Sequence, residues 1–269
     1  MLNYLYLDYG GKPRYRAELK YSLISLRAEL DPAKSRIVVA TDAPEIYRAW
    51  PVTVMDIAAD IPAWSGGGLY YHRIKPALVR AALARFAEPV LFLDSDSIVR
   101  PGFHEEVAEK MGGAAVVMNR FEKRNPIPPI RGFRTTLPHL GAYRYDQAAS
   151  LMYNSGLIGM TPSHRMILDD TLAMIDALIG RAKKFPTIEQ FALSEVLRLS
   201  STLVAEIQDT FLHYWQGRRR IYMANQIAKS LSPDWDDLTA PAQWAEMNYW
   251  SVRAYNYYYG VGHALGLVK

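Results

Sequence analysis

The sequence predicts an α/β fold, a mainly parallel central sheet flanked by helices, and three observations carry that prediction. Over the first hundred residues short strand-like runs alternate with helical ones, the rhythm of βαβ units. Apolar tetrads such as Ile37-Val38-Val39-Ala40 and Val90-Leu91-Phe92-Leu93 read as buried strands. The chain has 269 residues, 50% of them hydrophobic and 22% charged, enough to bury a substantial core, and no linker, repeat or low-complexity tract divides it.

Each element follows in order. Residues 3–8 read as the first strand. Residues 15–30 place Leu19, Leu23, Leu26 and Leu30 on one helical stripe, which Asp31-Pro32 stops. Residues 36–41 form the second strand, Pro44 suits the first turn of a short helix, and residues 52–57 form the third strand. The loop Trp64-Ser65-Gly66-Gly67-Gly68 precedes a helix over residues 72–86, and Val90–Leu93 is the fourth strand. Residues 114–119 are a further strand, and the Pro-rich stretch 120–147 reads as a long excursion, which inside a compact domain is usually functional or mobile. Strand character returns over 153–160, helices over 163–179 and 188–197, and short strands over 203–207 and 210–214. The C-terminal part reads as helical and aromatic.

Zero cysteines exclude disulfides, thiolate metal sites and cysteine nucleophiles, so a metal must sit on carboxylate, imidazole or backbone oxygen. No stretch approaches the ~18 consecutive apolar residues of a membrane span. The first residues lack a basic segment followed by an apolar one, which leads to the expectation of a cytoplasmic protein. Thirty-one Lys and Arg against 27 Asp and Glu give a net charge of +4, which suits an anionic ligand, and with no recognition motif nucleic acid is not expected as a partner. Much of the basic charge is local: Arg120, Lys123, Arg124, Arg131, Arg134 and Arg144 lie in the excursion against Glu122 and Asp146, and Arg218-Arg219-Arg220 is a basic triplet.

The sharpest chemical signal is Val90-Leu91-Phe92-Leu93-Asp94-Ser95-Asp96-Ser97. It puts two carboxylates at the carboxyl end of a buried strand, where open α/β sheets bind ligands. Such carboxylates repel unless a cation or proton shares the site, and hard oxygen donors suit Mg²⁺ or Mn²⁺. His213 is a natural third ligand, and a mixed nitrogen and oxygen set favours Mn²⁺ over Ca²⁺.

Three later segments stand in order behind this motif: Asn154-Ser155-Gly156, Glu189-Gln190, and His213-Tyr214-Trp215-Gln216-Gly217. Together they resemble the GT-A glycosyltransferases, which use nucleoside-diphosphate sugars, and are most similar to the glycogenin and lipooligosaccharide galactosyltransferase group. That group's Asp-Gln pair stands here as Glu189-Gln190, and its Lys-Pro-Trp after the histidine segment is replaced by Arg218-Arg219-Arg220. The resemblance covers roughly residues 3–220 and implies a single GT-A domain, with a nucleotide-binding half (1–119), an acceptor and catalytic half (120–220) and an aromatic C-terminal extension (221–269).

It also implies roles. Asp94, Asp96 and His213 would hold Mn²⁺ or Mg²⁺. Asp8, Tyr9, Arg73, Lys75, Ser95, Gly217 and Arg219 would bind the donor, Tyr9 by stacking on its base and Asp8 by accepting from ribose or base. Arg218, Arg219 and Arg220 offer forked donors to phosphate oxygens. Asn154 would contact the sugar. Glu189 would either deprotonate the acceptor hydroxyl, giving inversion, or act with Gln190 to stabilise an oxocarbenium-like state, giving retention.

The function expected is metal-dependent transfer of a sugar from a nucleoside diphosphate, UDP by resemblance, to a hydroxyl of a glycan or glycolipid. The basic excursion suits an anionic acceptor. A haloacid-dehalogenase-type phosphohydrolase with Asp94 as nucleophile is the alternative enzyme, and a non-catalytic nucleotide- or sugar-binding module the alternative outside catalysis. The tail aromatics Trp244, Tyr249, Trp250, Tyr255, Tyr257, Tyr258 and Tyr259 suit core packing first, and also a dimer surface, sugar binding or peripheral contact with the inner face of a membrane.

Overall fold

Seven strands form the central sheet of the computed structural model, which describes residues 1–113, 115–124, 132–181, 187–215 and 217–239. They are β1 (Leu2–Asp8), β2 (Ser35–Thr41), β3 (Thr53–Asp56), β4 (Val90–Leu93), β6 (Val116–Arg124), β9 (Leu151–Met160) and β10 (Val204–Glu206). Their order is β10-β6-β9-β4-β1-β2-β3, and β9 alone runs against the others. This is the mainly parallel sheet that the sequence predicts.

Helices α1 (Pro13–Arg27), α2 (Ile61–Trp64), α3 (Ile74–Phe86), α4 (Phe103–Gly112), α5 (Arg165–Ile179), α6 (Ile188–Leu199) and α7 (Gly217–Ser230) surround it. No helix among the described residues is long and apolar enough to cross a membrane.

The period-2 alternation of strand side chains divides the core between the sheet's two faces. Leu5, Val38 and Phe92 face one way and pack with Leu78 of α3, Ile175 of α5 and Phe191 of α6. Tyr4, Tyr6, Leu91 and Leu93 face the other way and pack with Leu19 and Leu23 of α1 and with Phe103 and Val107 of α4. A third cluster, Tyr21, Ile98, Leu212, Tyr214, Met223 and Ile227, joins α1 and α7 to a small antiparallel pair, β5 (Ser97–Val99) with β11 (Phe211–His213).

The structure departs from the sequence expectations at several places, and helix α2 and strand β5 are among the elements the sequence does not mark. Helix α1 stops at Arg27, and Leu30 packs on the core from beyond the helix end. Helix α4, unassigned from sequence, buries Phe103, Val107 and Met111 at i, i+4 and i+8. The stretch 120–147 is not a loop throughout: β6 runs on to Arg124, and β7 (Arg134–Leu137) pairs with β8 (Gly141–Arg144) as a hairpin. The hairpin holds because Phe133, Leu137, Tyr143 and Tyr145 bury one face on the core while Arg134 and Arg144 stay outside. Residues 125–131, and with them Arg131, lie outside the described residues, as do Gln216 and the aromatic tail from residue 240 onward.

Candidate active site

The fold brings the acidic motif and the distant histidine together through two strand pairings. Strand β4 ends at Leu93, and the Asp94 N–H donates to the Gly156 carbonyl on β9 at 2.8 Å. The chain then turns into β5, whose antiparallel register with β11 sets Ser97 opposite His213, while the Tyr214 N–H donates to the Asp96 carbonyl at 3.0 Å. In consequence His213 Nε2 lies 3.2 Å from Asp96 Oδ1 and 3.6 Å from Asp94 Oδ2. One ligand atom from each of the three residues fits within a sphere of contacts no wider than 4.8 Å.

Gly156 makes this approach possible. A methyl group on its Cα would overlap the His213 imidazole, Cγ included, at 2.8 Å. Two carboxylates and one imidazole, converging on a gap that backbone rather than side chain leaves open, fit a divalent cation of the Mn²⁺ or Mg²⁺ kind.

Two cations flank the acids. Lys75 Nζ donates to Asp94 Oδ2 at 2.9 Å and to the Ser155 carbonyl at 3.1 Å. Burial works against its charge, yet Asp94 and Glu189 raise its pKa above the ordinary lysine value. Arg220 Nη1 lies 3.1 Å from Asp96 Oδ2, and its Nε donates to Glu18 Oε1 at 2.9 Å. Burial opposes the charge of Asp96 as well, but His213 and Arg220 prevail and hold its carboxyl well below the usual range.

Next to this centre Glu189 is clamped by hydroxyls: Tyr70 donates to Oε2 at 2.7 Å and Ser155 to Oε1 at 3.1 Å. Burial and the Glu189 charge together push the Tyr70 phenol above its ordinary pKa. Glu189 and Gln190 open α6, where the sequence places them. Gln190 Nε2 donates to Glu122 Oε2 at 2.8 Å, and Asn154 Nδ2 donates to Glu122 Oε1 at 2.7 Å. Nothing in the local sequence singles out Glu122 or Tyr70, because each reaches the site through a partner far along the chain.

A cleft of about 910 Å³ opens above these residues. Asp94, Ser95, Asp96, Asn154, Glu189, Gln190 and His213 line it, together with Lys75, Asp8 and Tyr9. Tyr9 stacks on Tyr71 with ring centroids 6.1 Å apart. Asp8 is already engaged, its Oδ2 accepting from Arg16 at 3.1 Å and from Tyr47 at 2.7 Å. Trp215, 45% exposed, also lines the cleft, and nothing in its local sequence singles it out.

Arg73, Gly217 and Arg219 do not line the cleft. The Arg73 guanidinium makes a double hydrogen bond to Asp176 at 2.6 and 2.9 Å and also binds the Ala63 and Trp64 carbonyls, so it anchors the turn before the three glycines. Gly217 is exposed at the start of α7. One helical position separates Arg219 from Arg220, and the helix presents Arg220 to Asp96 instead.

No protein-family model matches the chain, and no curated protein matches it. Solved structures similar to it include the apo form of mouse xyloside xylosyltransferase 1, at 13% identity over 76% of this chain and 84% of that one, with a TM-score of 0.47. Another is the apo structure of the bifunctional glycosyltransferase WbbM, at 15% identity over 77% of this chain, with a TM-score of 0.45. This chain spans 38% of the WbbM chain, well under half.

Proposed function

We propose that the chain is a metal-dependent glycosyltransferase that moves a sugar from a nucleoside-diphosphate sugar to a hydroxyl of a glycan or glycolipid. The observation that carries this reading is the Asp94, Asp96 and His213 group on the floor of a cleft at the carboxyl ends of parallel strands, flanked by Lys75 and Arg220. A divalent cation held by Asp94, Asp96 and His213 would supply positive charge to a departing diphosphate. Lys75 and Arg220 add fixed positive charge at the same place, where a low-dielectric wall strengthens it. Tyr9 and Tyr71 offer an aromatic surface to a base.

Both Glu189 oxygens accept a hydroxyl hydrogen bond, from Tyr70 and from Ser155, which fixes the carboxylate in place. A carboxylate held in place this way suits electrostatic stabilisation of positive charge on the donor sugar, and the product is expected to retain the donor's anomeric configuration. An inverted product, read by proton NMR of the anomeric signal, would return Glu189 to the role of base. Neither the phosphohydrolase nor the non-catalytic reading is favoured by a specific feature of the cleft.

The test is thermal unfolding with nucleoside diphosphates, uridine diphosphate first, each with Mn²⁺, Mg²⁺ or chelator. Ligand at ~100 times its dissociation constant adds ~2.7 kcal/mol, which for a chain of this size raises the midpoint by about 5 °C or more. A shift that needs both metal and one diphosphate supports the reading, and Asp96→Asn should remove that ligand-dependent shift while the protein still folds, its unliganded midpoint lowered by the loss of the partner of Arg220 and His213. No shift with any pair overturns it.

A further inference from the structure

We propose that Glu122 and Asn154 form an orienting pair that fixes which imidazole nitrogen of His213 faces the two aspartates, so that Glu122 is a positioning residue for the cation site. This rests on the metal reading above. The Gly156 N–H donates to Asn154 Oδ1 at 2.9 Å, and a backbone N–H can only donate, so that side-chain atom is the oxygen. His213 Nδ1 lies 2.9 Å from the same oxygen and therefore carries the proton there. Its Nε2, 3.2 Å from Asp96 Oδ1 and 3.6 Å from Asp94 Oδ2, is then the nitrogen whose lone pair a cation would take.

Glu122 completes the arrangement from the far side. One of its oxygens accepts from the Asn154 amide and the other from the Gln190 amide, so the carboxylate bridges β9 to α6 and keeps both side chains from turning. The backbone is built for this. The β6 and β9 ladder slips its register between Phe121 and Lys123, leaving Glu122 as the extra residue of an irregularity, a device that re-aims a side chain beside a site. Glu122, Asn154, Gln190 and His213 all line the one cleft.

The experiment reads Mn²⁺ affinity, by the electron paramagnetic resonance signal of free Mn²⁺, with thermal unfolding alongside. Glu122→Leu removes the acceptor and is expected to weaken Mn²⁺ binding roughly tenfold, the low end of what the loss of a metal ligand's supporting partner costs. Asn154→Asp sets a carboxylate against Glu122 and should weaken binding at least as much. Adding Glu122→Gln to Asn154→Asp swaps donor and acceptor across the pair and should bring affinity back to within about threefold of wild type, a coupling that a double-mutant cycle isolates.

Wild-type affinity in Glu122→Leu, or no recovery in the double variant, overturns the orienting role and leaves the metal reading standing. Failure of the wild-type protein to bind Mn²⁺ overturns both. Independently of any variant, imidazole nitrogen NMR of the wild-type protein with Mg²⁺ should find the His213 proton on Nδ1, and a proton on Nε2 overturns the inference.

Discussion

Gly156 and Gly159 lie three positions apart on β9 and therefore on opposite faces of the sheet, and each is a glycine for a different reason. A methyl at Gly159 would meet Leu91 Cδ1 at 2.8 Å and Val117 Cβ at 3.0 Å, inside the core. A methyl at Gly156 would meet the His213 ring instead. Gly159→Ala is expected to cost about 1–3 kcal/mol by overpacking, measured by urea unfolding, with Mn²⁺ affinity unchanged. Gly156→Ala should displace His213 and abolish Mn²⁺ binding, and intact binding in that variant would show that the imidazole is not held where the ligand set requires. At this scale the sequence was informative wherever a residue's role depends on its own neighbours. Asp94, Asp96 and Glu189 stand where a strand end or a helix start delivers them, and an apolar run or a preceding Pro-Thr marks those points. The choice of Arg220 over Arg219, the bridging Glu122 and the clamping Tyr70 depend on partners 32 to 202 residues away, as in Asn154–Glu122 and Arg220–Glu18, which no local pattern encodes.

Helix α7 is the element that carries Arg220 to the site, and it is docked by a mixed contact. Met223 and Ile227 bury apolar surface against α1, while Glu18 of α1, 1% exposed, receives Arg220 through both its oxygens and Arg14 at 3.2 Å. Removing one partner of a buried ion pair costs more than the pair contributes, because the other charge is left behind. Glu18→Ala is therefore expected to lower stability by about 2–3 kcal/mol in urea unfolding, somewhat below the fully buried case because Arg220 remains 23% exposed. A loss under ~0.5 kcal/mol would mean that apolar packing alone docks the helix. Elements whose signal is a clean period were legible: β1, β2, β4, α3, α5 and α6 stand within a few residues of where periodicity puts them. The β7–β8 hairpin was obscured by Pro and Arg on its flanks and outer face, although Leu137 and Tyr143 already mark its buried side. Helix α4 carried a readable apolar stripe, Phe103, Val107 and Met111, within an otherwise polar run.

Across the whole molecule, the site is an outcome of the complete sheet. Lys75 precedes β4, the acids follow it, Asn154 and Gly156 lie on antiparallel β9, and His213 arrives on β11, so no fragment assembles the ligand set. Stability gained from a bound ligand must then appear in the amides that open only when the sheet opens. The β7–β8 hairpin stands apart as a separate two-stranded sheet, held to α6 by the Tyr143 hydroxyl on Glu195 at 2.8 Å. Arg134 and Arg144 face each other directly across it, a like-charge pair that weakens it. Native-state hydrogen exchange separates the two regions. With Mn²⁺ and the stabilising diphosphate at ~100 times the dissociation constant, exchange at Leu91, Leu93 and Ile158 should slow about 100-fold, the kinetic equivalent of ~2.7 kcal/mol. The hairpin amides should be unaffected, because they exchange by an opening that leaves the ligand bound. Equal slowing in both places would mean that the hairpin and sheet open as one cooperative unit, with the Glu195 contacts strong enough to overcome the paired arginines.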